Sequence, residues 1–188
     1  MSKLMMRRGF AALAGALFSM GAVASTPDLG SISLSAGGKV LNKDDWSPAE
    51  DQFEGGARLA YQPANWPFGF TAAYFSSYGK GNFEGSEFRG RTHEIQLGLE
   101  KIWSVGDGSG RPYVGGGVVI GKAAASLEDV SDSDKAIGGW VGGGYTWVLA
   151  RHLALGVDSR YSYTRVRLFD VNGEGGGFHI GGTIGYAW

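Results

Sequence analysis

The chain of 188 residues contains no cysteine. Disulfides, thiolate zinc sites and cysteine nucleophiles are therefore excluded together. Proline is scarce, with five residues, and no Gly-x-y repeat occurs, so the 34 glycines do not signal a collagen-like chain. Disorder fits no better, because 24 aromatic residues accompany those glycines. Basic residues are not clustered, and the formal net charge is −1; no nucleic-acid footprint is present. Beyond residue 24 there is no long apolar run, so no helix of ~20 apolar residues is available to cross a membrane.

The first residues do carry an apolar run. Lys3, Arg7 and Arg8 precede Gly9 to Val23, and Ala22-Val23-Ala24 supplies small residues at the positions a signal peptidase reads. The segment 1–24 is expected to be a cleaved export signal, leaving 25–188 as one domain. Cleavage removes three of the 17 basic residues and none of the 18 acidic ones, which leaves a net charge of −4.

From residue 29 onward the pattern has a period of two, as strands require. At the C-terminus Phe178, Ile180, Ile184, Tyr186 and Trp188 share one parity, while His179, Gly181, Thr183, Gly185 and Ala187 share the other. The segment 94–100 alternates almost as strictly. Eight such segments are predicted, at 29–42, 52–62, 67–79, 88–103, 112–124, 136–149, 153–166 and 176–188. Short turns alternate with more polar connections at 43–51, 80–87, 125–135 and 167–175, the layout of bacterial outer-membrane barrels. The fold class is thus all-β: an eight-stranded antiparallel up-and-down transmembrane β-barrel.

Two features place lipid on the outside. Aromatic residues gather near the strand ends: Tyr61, Trp66, Phe68, Trp103, Tyr113, Trp147, Tyr186 and Trp188 at one end, and Phe75, Tyr78, Phe88, Trp140, Tyr163 and Phe178 at the other. Such belts match the aromatic girdles of membrane barrels. The parity opposite the apolar face carries Glu54, Arg58, Glu94, Glu100, Asp158 and Arg160. Eight strands enclose little more than side-chain width, so these six are expected to form a lumen network of paired charges. A soluble lipocalin-like barrel would invert the faces and is the alternative.

Ile184-Gly185-Tyr186-Ala187-Trp188 resembles the C-terminal signal that hands barrels to the outer-membrane assembly machinery. Arg111-Pro112-Tyr113-Val114-Gly115 is similar to the opening of a central strand in small outer-membrane barrels, and 156–163 resembles their penultimate strand. The resemblance is to the broad family of the OmpA transmembrane domain, OmpX and the opacity proteins. It implies an outer-membrane location, lipid and lipopolysaccharide as surroundings, and the assembly machinery as a partner in biogenesis. Phe178, Ile180, Ile184, Tyr186 and Trp188 would carry the assembly signal.

Catalytic and metal signals are weak. None of His93, His152 and His179 sits in the His-x-Ser-Asn motif of lipid A deacylases. The run Gly106-Asp107-Gly108-Ser109-Gly110 reads as a turn rather than a nucleophile elbow, and no EF-hand spacing occurs. Neither cofactor nor metal is expected. The leading expectation is a non-catalytic barrel with a structural or surface-interaction role, binding any surface ligand through the four polar connections. A narrow pore and a lipid A-modifying enzyme are the alternatives.

Overall fold

A computed structural model describes residues 27–42, 46–83, 86–127, 130–168 and 171–188. The expected export signal lies outside the described residues. So do Asp44 and Asp45 in the polar connection 43–51 and Asp129 in the polar connection 125–135.

Eight strands close into one antiparallel barrel: β1 (Leu29–Val40), β2 (Asp51–Gln62), β3 (Gly69–Phe83), β4 (Ser86–Ile102), β5 (Gly110–Leu127), β6 (Val130–Leu149), β7 (Leu153–Tyr163) and β10 (Gly177–Ala187). Each pairs with its sequence neighbour in the barrel, and β1 closes on β10. Between β7 and β10, β8 (Arg165–Leu168) and β9 (Val171–Glu174) form a separate hairpin. Following the ladder from Ile32 through β2 to β6 arrives at Tyr163 on β7. The opposite route through β10 arrives at Leu153, so the stagger round the barrel is 10 residues. A closed sheet leaves no unpaired edge, the condition for β-structure in lipid.

The period-two pattern decides which side each residue faces. Ile32, Leu34, Phe53, Leu59, Leu97, Val118, Val141 and Ile184 are all exposed on the outer surface, whereas Lys39, Glu54, Glu94, Glu100, Asp158 and Arg160 are buried inside. An apolar belt of this extent on a water-facing surface would far exceed the patches soluble monomers tolerate. Against lipid it has no such cost.

Two expectations need correction. The connections at 80–87 and 125–135 are not loops: the β3–β4 and β5–β6 ladders run out to Phe83↔Ser86 and Leu127↔Val130. Polar composition marks where a strand leaves the apolar zone, whereas backbone pairing continues beyond it. The connection 167–175 likewise contains most of the β8–β9 hairpin, and Trp46, within 43–51, occupies a short helical turn.

The aromatic belts are also thinner than expected. Phe75 is buried, and Phe88 packs against an interior apolar cluster of Leu41, Trp46, Ala123, Ala125 and Val166. Tyr113 and Trp140 line an interior void. All four have the inward parity of their strands, which nearness to a strand end had obscured. Tyr78 and Tyr163 are exposed on the outer belt as expected, and Phe53, Phe70, Tyr74 and Tyr161 join them.

Candidate functional site: the charged lumen

The inward positions of β2, β4 and β7 bring all six expected charges into one lumen. Arg160 of β7 lies between two carboxylates. Its Nη2 is ion-paired with Glu54 of β2, and its Nη1 lies 2.5 Å from Asp158 Oδ1. The guanidinium carbon sits 3.3 Å above the centre of the Phe75 ring, so the inward turn of Phe75 gives the cation an aromatic floor. Nearer the short-turn end, Arg58 is ion-paired with Glu100 and lies 4.2 Å from the Tyr113 ring centre. The Tyr113 hydroxyl donates to Asp158 Oδ2 at 2.7 Å and joins the two groups.

Towards the other end the network runs through Lys39, which the strand pattern alone did not single out, and through His179, whose inward parity placed it within reach of the interior charges. Lys39 of β1 has its Nζ 2.6 Å from Glu94 Oε1 and also donates to Thr92 Oγ1 and to the carbonyl of Gly175. Gln96 donates to the second Glu94 oxygen at 2.7 Å. Lys39 shares parity with Ser31, Ser33, Ser35 and Gly37, all inward positions, and that small, polar face was the signal available for finding it. His179 completes the chain, with Nδ1 2.7 Å from Glu54 Oε2 and Nε2 2.9 Å from Ser162 Oγ. Contacts therefore run without a break from Lys39 at one end to Asp158 and Tyr113, and on to Arg58 and Glu100.

Glycine on the facing strands makes room. A Cβ at Gly115 would approach the Glu100 Cβ to 2.8 Å, and one at Gly142 would meet the Arg160 Cβ at 2.5 Å. Two voids lined by described interior residues are small. One lined by Arg58, Gln96, Glu100, Tyr113 and Arg160 measures about 10 Å³, room for one water at most. At the long-loop end Trp46 and Leu41 pack with Val166 in a buried apolar cluster, and the Trp46 indole donates to the Glu174 carbonyl at 2.7 Å.

Ser162, His179 and Glu54 have the order of a nucleophile, base and orienting acid. Their surroundings oppose that use. Ser162 and His179 are 0 % and 1 % exposed, and the Ser162 hydroxyl also lies 2.9 Å from Glu94 Oε1. A hydroxyl shared with a carboxylate inside a filled lumen offers no place for a substrate carbonyl. Among the described residues no group of three His, Cys, Asp or Glu side chains could hold a metal ion.

The five C-terminal residues expected to carry the assembly signal all face outward and are exposed. Tyr186 stacks on His152 with centroids 4.7 Å apart. Trp188 and Gly30 exchange backbone hydrogen bonds at 3.0 Å, which fastens the closing seam. Arg111 Nη1, on β5, donates to the Trp188 carbonyl at 2.8 Å and to that of Gly30 at 3.3 Å.

Neither a protein-family model nor a curated protein matches the chain. Solved structures do. The attachment invasion locus protein Ail of Yersinia pestis superposes with a TM-score of 0.58 at 17% identity, over 87% of this chain and 100% of that one. Neisserial surface protein A gives 0.55 at 13% identity, over 87% and 97%. The fold is that of the small outer-membrane barrels. The N-terminal barrel of Pseudomonas aeruginosa OprF gives 0.51 at 17% identity, over 85% and 99%. Like those small outer-membrane barrels this chain closes with eight strands, and the identities are low enough that fold is what the likeness carries.

Proposed function

We propose that the chain is exported to the bacterial outer membrane, with its signal cleaved after Ala24, and serves there as a closed, non-catalytic barrel with a structural or surface-interaction role. The observation that carries this reading is the unbroken lumen network from Lys39 to Glu100. Each of Lys39, Glu54, Glu94, Glu100, Asp158 and Arg160 has an ion-pair partner, so opening a passage would require separating several pairs at once. The outward apolar belt supports the membrane location, because only lipid makes that surface inexpensive. The β3–β4 and β5–β6 hairpins, which extend past the belt, are the surfaces offered to partners outside the cell. Ail, which shares this fold, has also been solved in complex with the heparin analogue sucrose octasulfate.

Planar-bilayer recording of the refolded protein tests the closed lumen. The expected result is little or no conductance; a large, steady conductance would establish the narrow-pore reading instead. Lipid A mass spectra from cells with and without the protein should coincide, and a lost acyl chain would point to an enzyme.

Assembly gives a further expected outcome. The seam depends on Trp188, so removing Tyr186 to Trp188 takes away its last backbone pair, the Arg111 clamp and the stack on His152. The truncated protein should yield less of the fast-migrating folded form on cold SDS gels. Equal folded amounts would show that the last three residues are dispensable.

A further inference from the structure

The outer wall is not evenly covered. In the row Leu59–Ala72–Leu97–Val118 the ladder sets Ala72 between two leucines. In the next row towards the short turns, Tyr61–Phe70–Leu99–Gly116–Val141, it sets Gly116 between Leu99 and Val141. A methyl group and a bare backbone thus stand where their neighbours project large side chains. The result is a hollow of about 650 Å³ walled by Leu59, Tyr61, Phe70, Leu97, Leu99 and Val118. Ligand pockets measure ~300–1,000 Å³ and are mostly apolar with a few placed polar groups.

Lys101 stands at the rim. It is the next outward position after Leu99 on β4, pairs with Val114 in the ladder and is half-buried. Among the described residues it forms no ion pair. Nearby acids are engaged elsewhere: Asp28 accepts the backbone N–H of Ala64 at 2.6 Å, and Glu100 is ion-paired with Arg58 inside the lumen. No acidic residue precedes Asp28 in the sequence. Arg111, near the same end of β5, is turned to the carbonyls of Gly30 and Trp188. An ammonium on a long stem at the edge of an apolar wall reaches headgroup level, where an anionic headgroup supplies the counter-charge that the chain does not.

We infer that the hollow and Lys101 bind one anionic glycerophospholipid of the periplasmic leaflet, with an acyl chain in the hollow and the phosphodiester on the ammonium. The inference rests on the outer-membrane reading and adds a ligand and its residues to it. The leaflet follows from the layout: Lys101 lies beside the connection from β4 to β5, and short turns face the periplasm in barrels of this kind. Shape and charge are in line, since Leu99 and Lys101 are successive outward positions of one strand. That alignment separates a resident lipid from the lipid that merely surrounds the wall, because a chain lying in the hollow brings its own headgroup to the lysine. A second copy of the chain is the poorer occupant. A two-fold contact centred on the hollow would carry Lys101 of both copies into one apolar interface, where like charges repel.

The test uses the full mature chain refolded into phosphatidylcholine bilayers that contain a minor share of phosphatidylglycerol or of the uncharged diacylglycerol, each with a photoactivatable group on an acyl chain. Native mass spectrometry reads the lipid retained, and mapping of cross-linked peptides reads its place. The parent should be released as a monomer holding one phosphatidylglycerol in preference to either other lipid, with cross-links concentrated at Leu97, Leu99 and Val118. Lys101→Gln should lower that preference about fivefold, equivalent to the ~1 kcal/mol that one lysine contributes near an anionic lipid surface. Lys101→Arg should keep it. Ala72→Leu fills the floor and should remove the concentration of cross-links on β4 and β5; if it fails to refold, Val118→Phe fills the hollow from the other side. Lys122→Gln, outward at the opposite end, should change neither readout. Cross-links spread evenly round the wall, an unchanged preference in Lys101→Gln, equal retention of diacylglycerol, or a dimer in place of bound lipid would overturn the inference. Insertion without lipid selectivity refutes this site alone, whereas failure of the parent to insert in any bilayer refutes the outer-membrane reading with it.

Discussion

Arg160→Ala should destabilise the barrel by up to about 3–5 kcal/mol, the cost of breaking a buried ion pair from one side. The guanidinium compensates Glu54 and Asp158 together and rests on Phe75, so its loss leaves two carboxylates facing an emptied space. Part of the cost is recovered locally. His179 remains beside Glu54, Tyr113 remains beside Asp158, and water can enter the gap, which places the expected value at the lower end. Arg160→Lys should recover little, because a single ammonium cannot reproduce a fork that reaches both acids. Urea unfolding in bilayers, followed by tryptophan fluorescence, measures the difference. The same variant should conduct more than the parent, since the removed side chain ties Glu54 of β2 to Asp158 of β7 inside the lumen. A variant as stable as the parent and equally silent would show that the pairs do not hold the lumen closed.

How much of this was legible in the sequence depends on whether parity alone settles a question. It settles sidedness well: Glu54, Arg58, Glu94, Glu100, Asp158 and Arg160 all lie inside, as alternation required. It does not settle partners. The pairing of Arg160 with Glu54 follows from closure of β1 between β2 and β10 and from a stagger that only the assembled ladder reveals. Lys39 was visible on the small, polar face of β1, yet it is one charge in a segment otherwise of serine and glycine. Phe75 and Trp140 lie towards strand ends, yet it is their parity, not their position along the strand, that turns them inward. The polar stretches at 80–87 and 125–135 show the complementary error. Composition reports the solvent around a strand, while hydrogen bonding decides where the strand ends. Trp46 could not have been anticipated, since its cap depends on a turn that folds back across the mouth towards Glu174.

The outward face yields the other large effect, and its dependence on depth is the informative part. Leu97 sits mid-strand on β4, between Ala72 and Val118 in the ladder, and is 46% exposed. It helps line an apolar hollow on the outer wall with Leu59, Phe70 and Val118. Leu97→Arg should cost about 2–4 kcal/mol, as for a cation near the bilayer midplane. The same change at Ile137, one outward position below Lys135, should cost only about 0–1 kcal/mol, because a side chain there reaches the headgroups. Gly98→Arg, one residue along but inward, should also be harmful for a different reason. A Cβ at that position already comes within 2.8 Å of the Trp140 ring, so the defect is steric and Gly98→Val should share it, whereas Leu97→Val should be mild. Refolding yields and urea midpoints in bilayers separate these cases. Equal tolerance of arginine at 97 and 137 would mean that water, not lipid, meets the outer wall, and the inverted, soluble barrel would have to be reconsidered despite its charged interior.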